Sequence, residues 1–174
     1  MKSKWLFLAV FFLICSSPSL NAQEGFRFEA NVGVPLADSG DFYSFALQGN
    51  FYYSWKVSDK VYIGPTVGIM YLFEEDTTGS FDSLPAFYIP IAASGRVKLN
   101  TNWAAGFDLG YAIDGNLGTY FGSGFEEDST GGIYLRPVVG YYFKEKLALI
   151  ASYTHINQKN YKAASLSLGV NFWF

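Results

Sequence analysis

The chain ends Ala164-Ser165-Leu166-Ser167-Leu168-Gly169-Val170-Asn171-Phe172-Trp173-Phe174, and this stretch decides the fold. Ala164, Leu166, Leu168, Val170, Phe172 and Phe174 take every second position, and Ser165, Ser167, Gly169, Asn171 and Trp173 fall between them. A period of two belongs to an extended strand, whose successive side chains point to opposite faces. One face is wholly apolar. About 9–11 residues suffice for a tilted strand to cross hydrocarbon, and this stretch is long enough.

The same alternation recurs towards the N-terminus. In the first segment Phe26, Phe28, Ala30, Val32 and Val34 face one way, and Arg27, Glu29, Asn31 and Gly33 the other. In the second, Phe45, Leu47, Phe51, Tyr53, Trp55 and Val57 oppose Gln48, Asn50, Tyr52, Ser54 and Lys56. Further segments run from Val61 to Phe73, Ala86 to Leu99, Asn102 to Ile113, Gly132 to Phe143 and Leu147 to Asn157, with the last from Tyr161 to Phe174. Eight segments result. Ser58–Lys60, Leu99–Thr101 and Lys144–Lys146 read as tight turns. Ala37–Tyr43, Asp76–Pro85 and Asp114–Gly131 read as longer polar loops, and the connection at Gln158–Asn160 is short. Short turns on one side and longer loops on the other are the pattern of an outer-membrane barrel, with the short turns in the periplasm. Lipid offers no hydrogen-bond partner, so an open sheet edge is excluded and the last strand must pair with the first. Pro65, Pro90 and Pro137 fall inside the segments, where proline usually marks an edge or a bulge that reverses the facing of the residues beyond it.

Composition agrees. Charged residues are 16% and aromatics 20% of the chain, against about 25% charged in an average soluble domain. Lys2 and Lys4, the apolar run Trp5 to Cys15 and the small, polar Ser16 to Ala22 read as a cleaved signal peptide, residues 1–22, ahead of a single barrel domain, residues 23–174. Ile14 before Cys15 is too bulky for lipoprotein cleavage at that cysteine. Removing the two signal lysines from 12 basic residues leaves 10 against 15 acidic. That balance, without a basic surface, argues against nucleic acid as a partner. With Cys15 gone no cysteine remains for a disulfide or a metal. No cofactor and no metal site is expected.

The signal peptide, the eight alternating segments, the alternating loop lengths and the terminal aromatic strand resemble the small eight-stranded outer-membrane barrels of the OmpA-transmembrane-domain and OmpX type. The likeness covers the chain beyond the signal. It implies an all-β, transmembrane, antiparallel up-and-down barrel in the outer membrane of a Gram-negative cell envelope. It also implies that Phe172 and Phe174 form the carboxy-terminal signal read by the barrel-assembly machinery. Unlike full-length OmpA, the sequence shows no peptidoglycan-binding domain after the barrel.

Candidate functional residues fall into three groups. Arg27, Glu29, Lys56, Arg96, Lys98, Asp108 and Arg136 have lumen parity. Eight strands enclose a space that side chains can fill, and charges confined there should pair. A network is expected in which Glu29 and Asp108 bridge Arg27, Arg96 and Arg136. It would plug the barrel; the alternative is a narrow porin-like channel. The second group is the acidic loops, with ten of the fifteen acids, among them Glu74, Glu75, Asp76, Glu126, Glu127 and Asp128. Carboxylates suit divalent cations, which would bridge to lipopolysaccharide or to an external or envelope protein; a merely solvated surface is the plainer reading. Leu117, Tyr120, Phe121 and Phe125 in one loop are candidate contacts or rim packing. The third is His155, the one histidine. Some small barrels are lipid-A-modifying enzymes, and in the deacylases a histidine works with a serine two residues on; here that position is Asn157, and Ser152 has the opposite parity. His155 therefore reads as a rim residue, and no enzymatic activity is expected. On the lipid face Phe26, Tyr53, Trp55, Trp103, Tyr141, Phe143, Phe172 and Phe174 should form one aromatic girdle, and Tyr71, Phe73, Phe87, Tyr111 and Tyr153 the other. A soluble lipocalin-like barrel, apolar within and polar without, is the alternative fold.

Overall fold

The structure, a computed structural model, describes residues 25–74, 86–115, 131–159 and 161–174. Residues 1–22, Glu75, Asp76, Leu117, Tyr120, Phe121, Phe125, Glu126, Glu127 and Asp128 lie outside them, as does the side chain of Glu74.

Eight strands follow one another: β1 (Gly25–Ala37), β2 (Tyr43–Lys56), β3 (Val61–Glu74), β4 (Ala86–Lys98), β5 (Trp103–Asp114), β6 (Gly132–Lys144), β7 (Leu147–Asn157) and β8 (Lys162–Trp173). Each pairs antiparallel with its sequence neighbours, and β8 pairs with β1, so the sheet closes. The stagger follows from the register. From Arg27 the partners run Tyr52, Thr66, Ala92, Gly110, Tyr134, Ile156 and Ala163. The circuit returns to β1 at Ala37, ten residues above its start. An even stagger is required, because an odd one would join inward to outward side chains at the seam. Eight strands with this stagger tilt by about 40° and enclose a cylinder of about 8 Å radius.

Alternation then sorts the side chains. Phe26, Val34, Phe51, Leu166 and Leu168 are exposed on the outer wall, Leu168 at 68%. Arg27, Glu29, Asn50, Tyr52, Asp108, Arg136 and Asn171 are buried inside. The wall is apolar outside and polar within, the reverse of a lipocalin. No helix among the described residues is long and apolar enough to cross a membrane; the strands supply the apolar surface. Two aromatic bands ring it. At the short-turn end Tyr53 contacts Phe26 at 5.0 Å and Trp55 at 5.2 Å, and Trp103 contacts Tyr141 at 5.1 Å. At the loop end Tyr71 stacks on Phe87 at 4.6 Å and Phe73 on Phe45 at 4.3 Å.

Several expectations are corrected. Pro65, Pro90 and Pro137 do not reverse the facing of their strands. On one side of each the pairing lapses and resumes in the same register: Tyr52↔Thr66 then Trp55↔Ile63, Val67↔Ile91 then Met70↔Tyr88, Leu135↔His155 then Val138↔Ser152. A missing N–H removes a ladder bond, and neighbours on both sides hold the strand in place. The register shifts fall instead at strand ends, at Tyr43/Phe45 and Tyr142/Lys144. The segment 37–43, expected as a longer polar loop, is largely a tight turn. Asp38–Asp41 form one turn of 3₁₀ helix folded over the seam. Ser39 Oγ accepts from the Ala164 amide at 3.2 Å and donates to the Leu36 carbonyl at 2.6 Å. This covers Ala164, whose parity is outward yet which is wholly buried. Lys56 does not reach the lumen either. It ends β2, where the wall stops, and its ammonium meets Asp59 of the following turn at 2.9 Å in an exposed pair.

Candidate functional site

The lumen is packed in tiers, and a central one carries the charge. Arg136 projects from β6 and is 0% exposed. Its Nη1 donates to Tyr52 Oη at 2.7 Å, Glu29 Oε2 at 2.9 Å and Asp108 Oδ2 at 3.2 Å, and its Nη2 to Ser152 Oγ at 3.1 Å. Arg96 clasps Asp108 with both terminal nitrogens, at 2.6 and 3.1 Å. The Tyr52 hydroxyl lies 3.0 Å from Glu29 Oε2 and 3.1 Å from Asp108 Oδ2, so its one proton is shared between two carboxylates. Asn171 Nδ2 completes the set with a 3.1 Å bond to Glu29 Oε1. These side chains come from β1, β2, β4, β5, β6, β7 and β8, seven of the eight strands.

Local sequence makes room for this. Gly106 is the cross-strand partner of Arg96. A Cβ there would overlap the Arg96 stem and the Gly95 carbonyl, so glycine lets the guanidinium lie flat along the wall towards Asp108.

Arg27 stands apart from the other two arginines. Its nearest carboxylate oxygen, Glu29 Oε1, is 3.9 Å from Nε. Its guanidinium lies 4.0 Å over the Tyr52 ring and 5.3 Å from Trp173, a cation–π arrangement. Below it, at the short-turn end, Trp173 packs edge-on to Tyr62 at 6.3 Å and donates to Tyr142 Oη at 3.3 Å. Lys98 is half-buried at the same end, 5.7 Å from the Tyr62 ring, and takes no part in the central network.

Above the charges lies an amide–hydroxyl layer. Gln48 donates to Tyr134 Oη at 2.9 Å and accepts from Thr154 Oγ1 at 2.9 Å. Higher still, Ala46, Met70, Leu72, Tyr88, Ile156 and Ala163 belong to an apolar cluster that fills the loop end of the lumen, with Tyr43 and Tyr161 against it. Burial pushes the Tyr161 phenol up to about 12, helped by its neighbour Tyr43 and by Asp38.

Sequence parity placed the five charged residues on one face; it gave no sign that Tyr52 would be the hub or that Ser152 and Asn171 would join. Each has lumen parity, but their common height appears only once the stagger is known. His155 is half-buried on the outer wall, its ring 6.2 Å from Tyr153. Ser152 faces the lumen and is held by Arg136, so the two do not meet. Among the described residues there is no cluster of His, Cys, Asp and Glu suited to a metal ion.

A closed sheet, apolar outside and charged within, is a transmembrane β-barrel. The chain belongs to the outer membrane protein beta-barrel domain family, whose model matches residues 7–174, and it is a protein of the outer membrane. No curated protein sequence matches it. Among solved structures it is similar to Ail, the attachment invasion locus protein of Yersinia pestis, at 13% identity and TM-score 0.56, over 87% of this chain and 99% of that one. It is also similar to the N-terminal β-barrel domain of Pseudomonas aeruginosa OprF, at 16% identity and TM-score 0.53, over 87% and 98%. A transmembrane β-barrel designed de novo is similar at 12% identity and TM-score 0.57, over 91% and 100%. At these identities the likeness is one of fold.

Proposed function

We propose that this protein is a closed, non-conducting and non-enzymatic barrel that serves the outer membrane structurally and presents acidic loops to a partner. The observation that carries this is the middle tier: one hydrogen-bonded set of charges ties seven strands together across a lumen of about 8 Å radius. Arg136 and Arg96 compensate Glu29 and Asp108 within bonding distance. An ion moving along the axis would have to part these pairs. The mostly apolar cluster above them fills the loop end of the lumen.

The test is planar-bilayer conductance of the purified, refolded protein, with heat-modifiable gel mobility to confirm folding. A folded barrel without discrete openings is the expected result. Reproducible openings would make it a small channel lined by Arg96 and Asp108. One observation favours that second reading: Arg27 Nε and Nη2 have no hydrogen-bond partner, so the short-turn half has polar groups that water could serve.

Residues 1–22 act in this reading as the export signal, and Phe172 and Phe174 as the contact for the barrel-assembly machinery. Both phenylalanines are exposed at the end of the chain. The short turns face the periplasm and the loops face outward, as in other barrels of this architecture. Ail has been crystallised in complex with the heparin analogue sucrose octasulfate. Here ten acids against Lys159 and Lys162 on the loop side would repel such a polyanion. The partner is instead a cationic protein surface, or lipopolysaccharide phosphate bridged by divalent ions at Glu74, Glu75, Asp76, Glu126, Glu127 and Asp128.

A further inference from the structure

We propose that the short-turn rim carries a headgroup site for an anionic phospholipid of the inner leaflet; the leaflet follows from the orientation proposed above. A hollow of about 780 Å³ cuts across the lower edge of β4, β5 and β6. Lys98 enters it from the lumen side, Lys60 from the turn after β2, and Lys144 from the end of β6. None of the three is in an ion pair among the described residues. Of the nearby carboxylates, Asp59 is already held by Lys56, which leaves Glu145. The hollow is therefore net cationic.

Its other wall is apolar. Trp103 and Phe143 line it and are 44% and 47% exposed on the hydrocarbon-facing surface. A soluble anion would satisfy the lysines and leave those rings unused. An amphiphile with a phosphodiester headgroup satisfies both walls, phosphate to the ammonium groups and acyl chains along the rings. The hollow is also held in shape. Asn100 Oδ1 accepts from the Asn102 and Trp103 amides at 2.9 and 2.8 Å, and Asn102 Nδ2 donates to the Tyr142 carbonyl at 2.9 Å.

Charge across the whole chain favours this rim. Five of the seven lysines beyond residue 22 lie at it, and the remaining two, Lys159 and Lys162, are at the loop end. A zwitterionic lipid would bring its own ammonium against the lysines, so the preference is for net negative headgroups.

The test is native mass spectrometry of the barrel purified from outer membranes, offered equal amounts of phosphatidylglycerol and phosphatidylethanolamine with matched acyl chains. Gel mobility first confirms that each sample is folded, which separates failure of this site from failure of the barrel. The wild type should retain phosphatidylglycerol by roughly tenfold over the zwitterionic lipid, the scale expected of a few screened lysines at a membrane surface. The K60Q/K98Q/K144Q variant should lose the preference, and the K144Q single variant should weaken it. The K159Q/K162Q control, at the other rim, should keep it. Equal retention by the wild type, or a preference that survives the triple variant, would overturn the site. Displacement of the lipid by glycerol phosphate at equal concentration would overturn the lipid assignment and leave a site for soluble phosphate.

Discussion

At the scale of single residues, the buried charges matter through what is left when one is removed. Asp108 receives both terminal nitrogens of Arg96 and one from Arg136. Asp108→Ala would strand two guanidinium groups with Glu29 alone to answer them. Breaking a buried pair typically costs about 3–5 kcal/mol, and a denaturant titration of the vesicle-embedded barrel should show a loss on that scale. An unchanged midpoint would mean that the network contributes nothing. The exposed pair at the short-turn rim behaves differently. The hydrogen bond and charge of Lys56 hold the Asp59 carboxyl below its ordinary range. The pair is present at neutral pH and is lost as pH falls through that lowered value. An NMR titration of Asp59 should therefore move up towards an ordinary aspartate in Lys56→Gln, with little effect on stability, since the turn is solvated and surface pairs contribute little. Parity alone identified Arg27, Glu29, Arg96, Asp108 and Arg136 as inward. Tyr52 was on the same face, but a tyrosine there reads equally well as filler, and only its height between the two carboxylates gives it the central place.

At the scale of elements, all eight strands were legible, most within a residue or two of their observed ends, because each repeats a two-residue period bounded by turn-forming residues. What misled was local chemistry with a tertiary answer. Proline inside a strand suggests a bulge, yet here the tilted neighbours on both sides fix the register and the lost bond stays local. Asp38-Ser39-Gly40-Asp41 reads as part of a longer polar loop. Its place over the seam depends on Ala164, 125 residues away, whose amide and carbonyl both lie within reach of Ser39 Oγ. Ser39→Ala would leave a buried backbone amide without that acceptor. A loss of about 1–3 kcal/mol is expected, seen as a lowered unfolding midpoint and as faster hydrogen exchange at the β1–β8 seam. Exchange unchanged at Ala164 would show that the turn does not cover it.

At the scale of the molecule, the described charges divide by height: Asp38, Asp41 and Asp114 at the loop end, a compensated set in the middle, five lysines at the short-turn rim. The expected absence of conductance depends on these tiers together. A polar tier alone could hydrate, and an apolar tier alone would leave the charges below it open to one side. Assembly also belongs at this scale. Phe174 is 65% exposed and closes the β8 end with one bond from its amide to the Phe26 carbonyl at 3.1 Å. Phe174→Ala removes no buried contact, so equilibrium stability in vesicles should hardly change. If the side chain is the handle for the assembly machinery, folding catalysed by that machinery in proteoliposomes should slow several-fold, while spontaneous folding into detergent does not. Equal slowing in both would assign Phe174 a role in folding itself.

The sequence by itself determined the number of strands, which side chains share a face and, for a sheet in lipid, its closure. These follow from a two-residue period and from a solvent that cannot hydrogen-bond to an open edge. Only the tertiary structure decided which inward residues share a level. The ten-residue stagger brings Glu29, Tyr52, Asp108 and Arg136 to one height from four different strands, and no local pattern encodes that offset. The same holds for the rim hollow. Lys60, Lys98 and Lys144 are far apart along the chain, and they become one site because three separate strand ends finish at the same edge of the barrel.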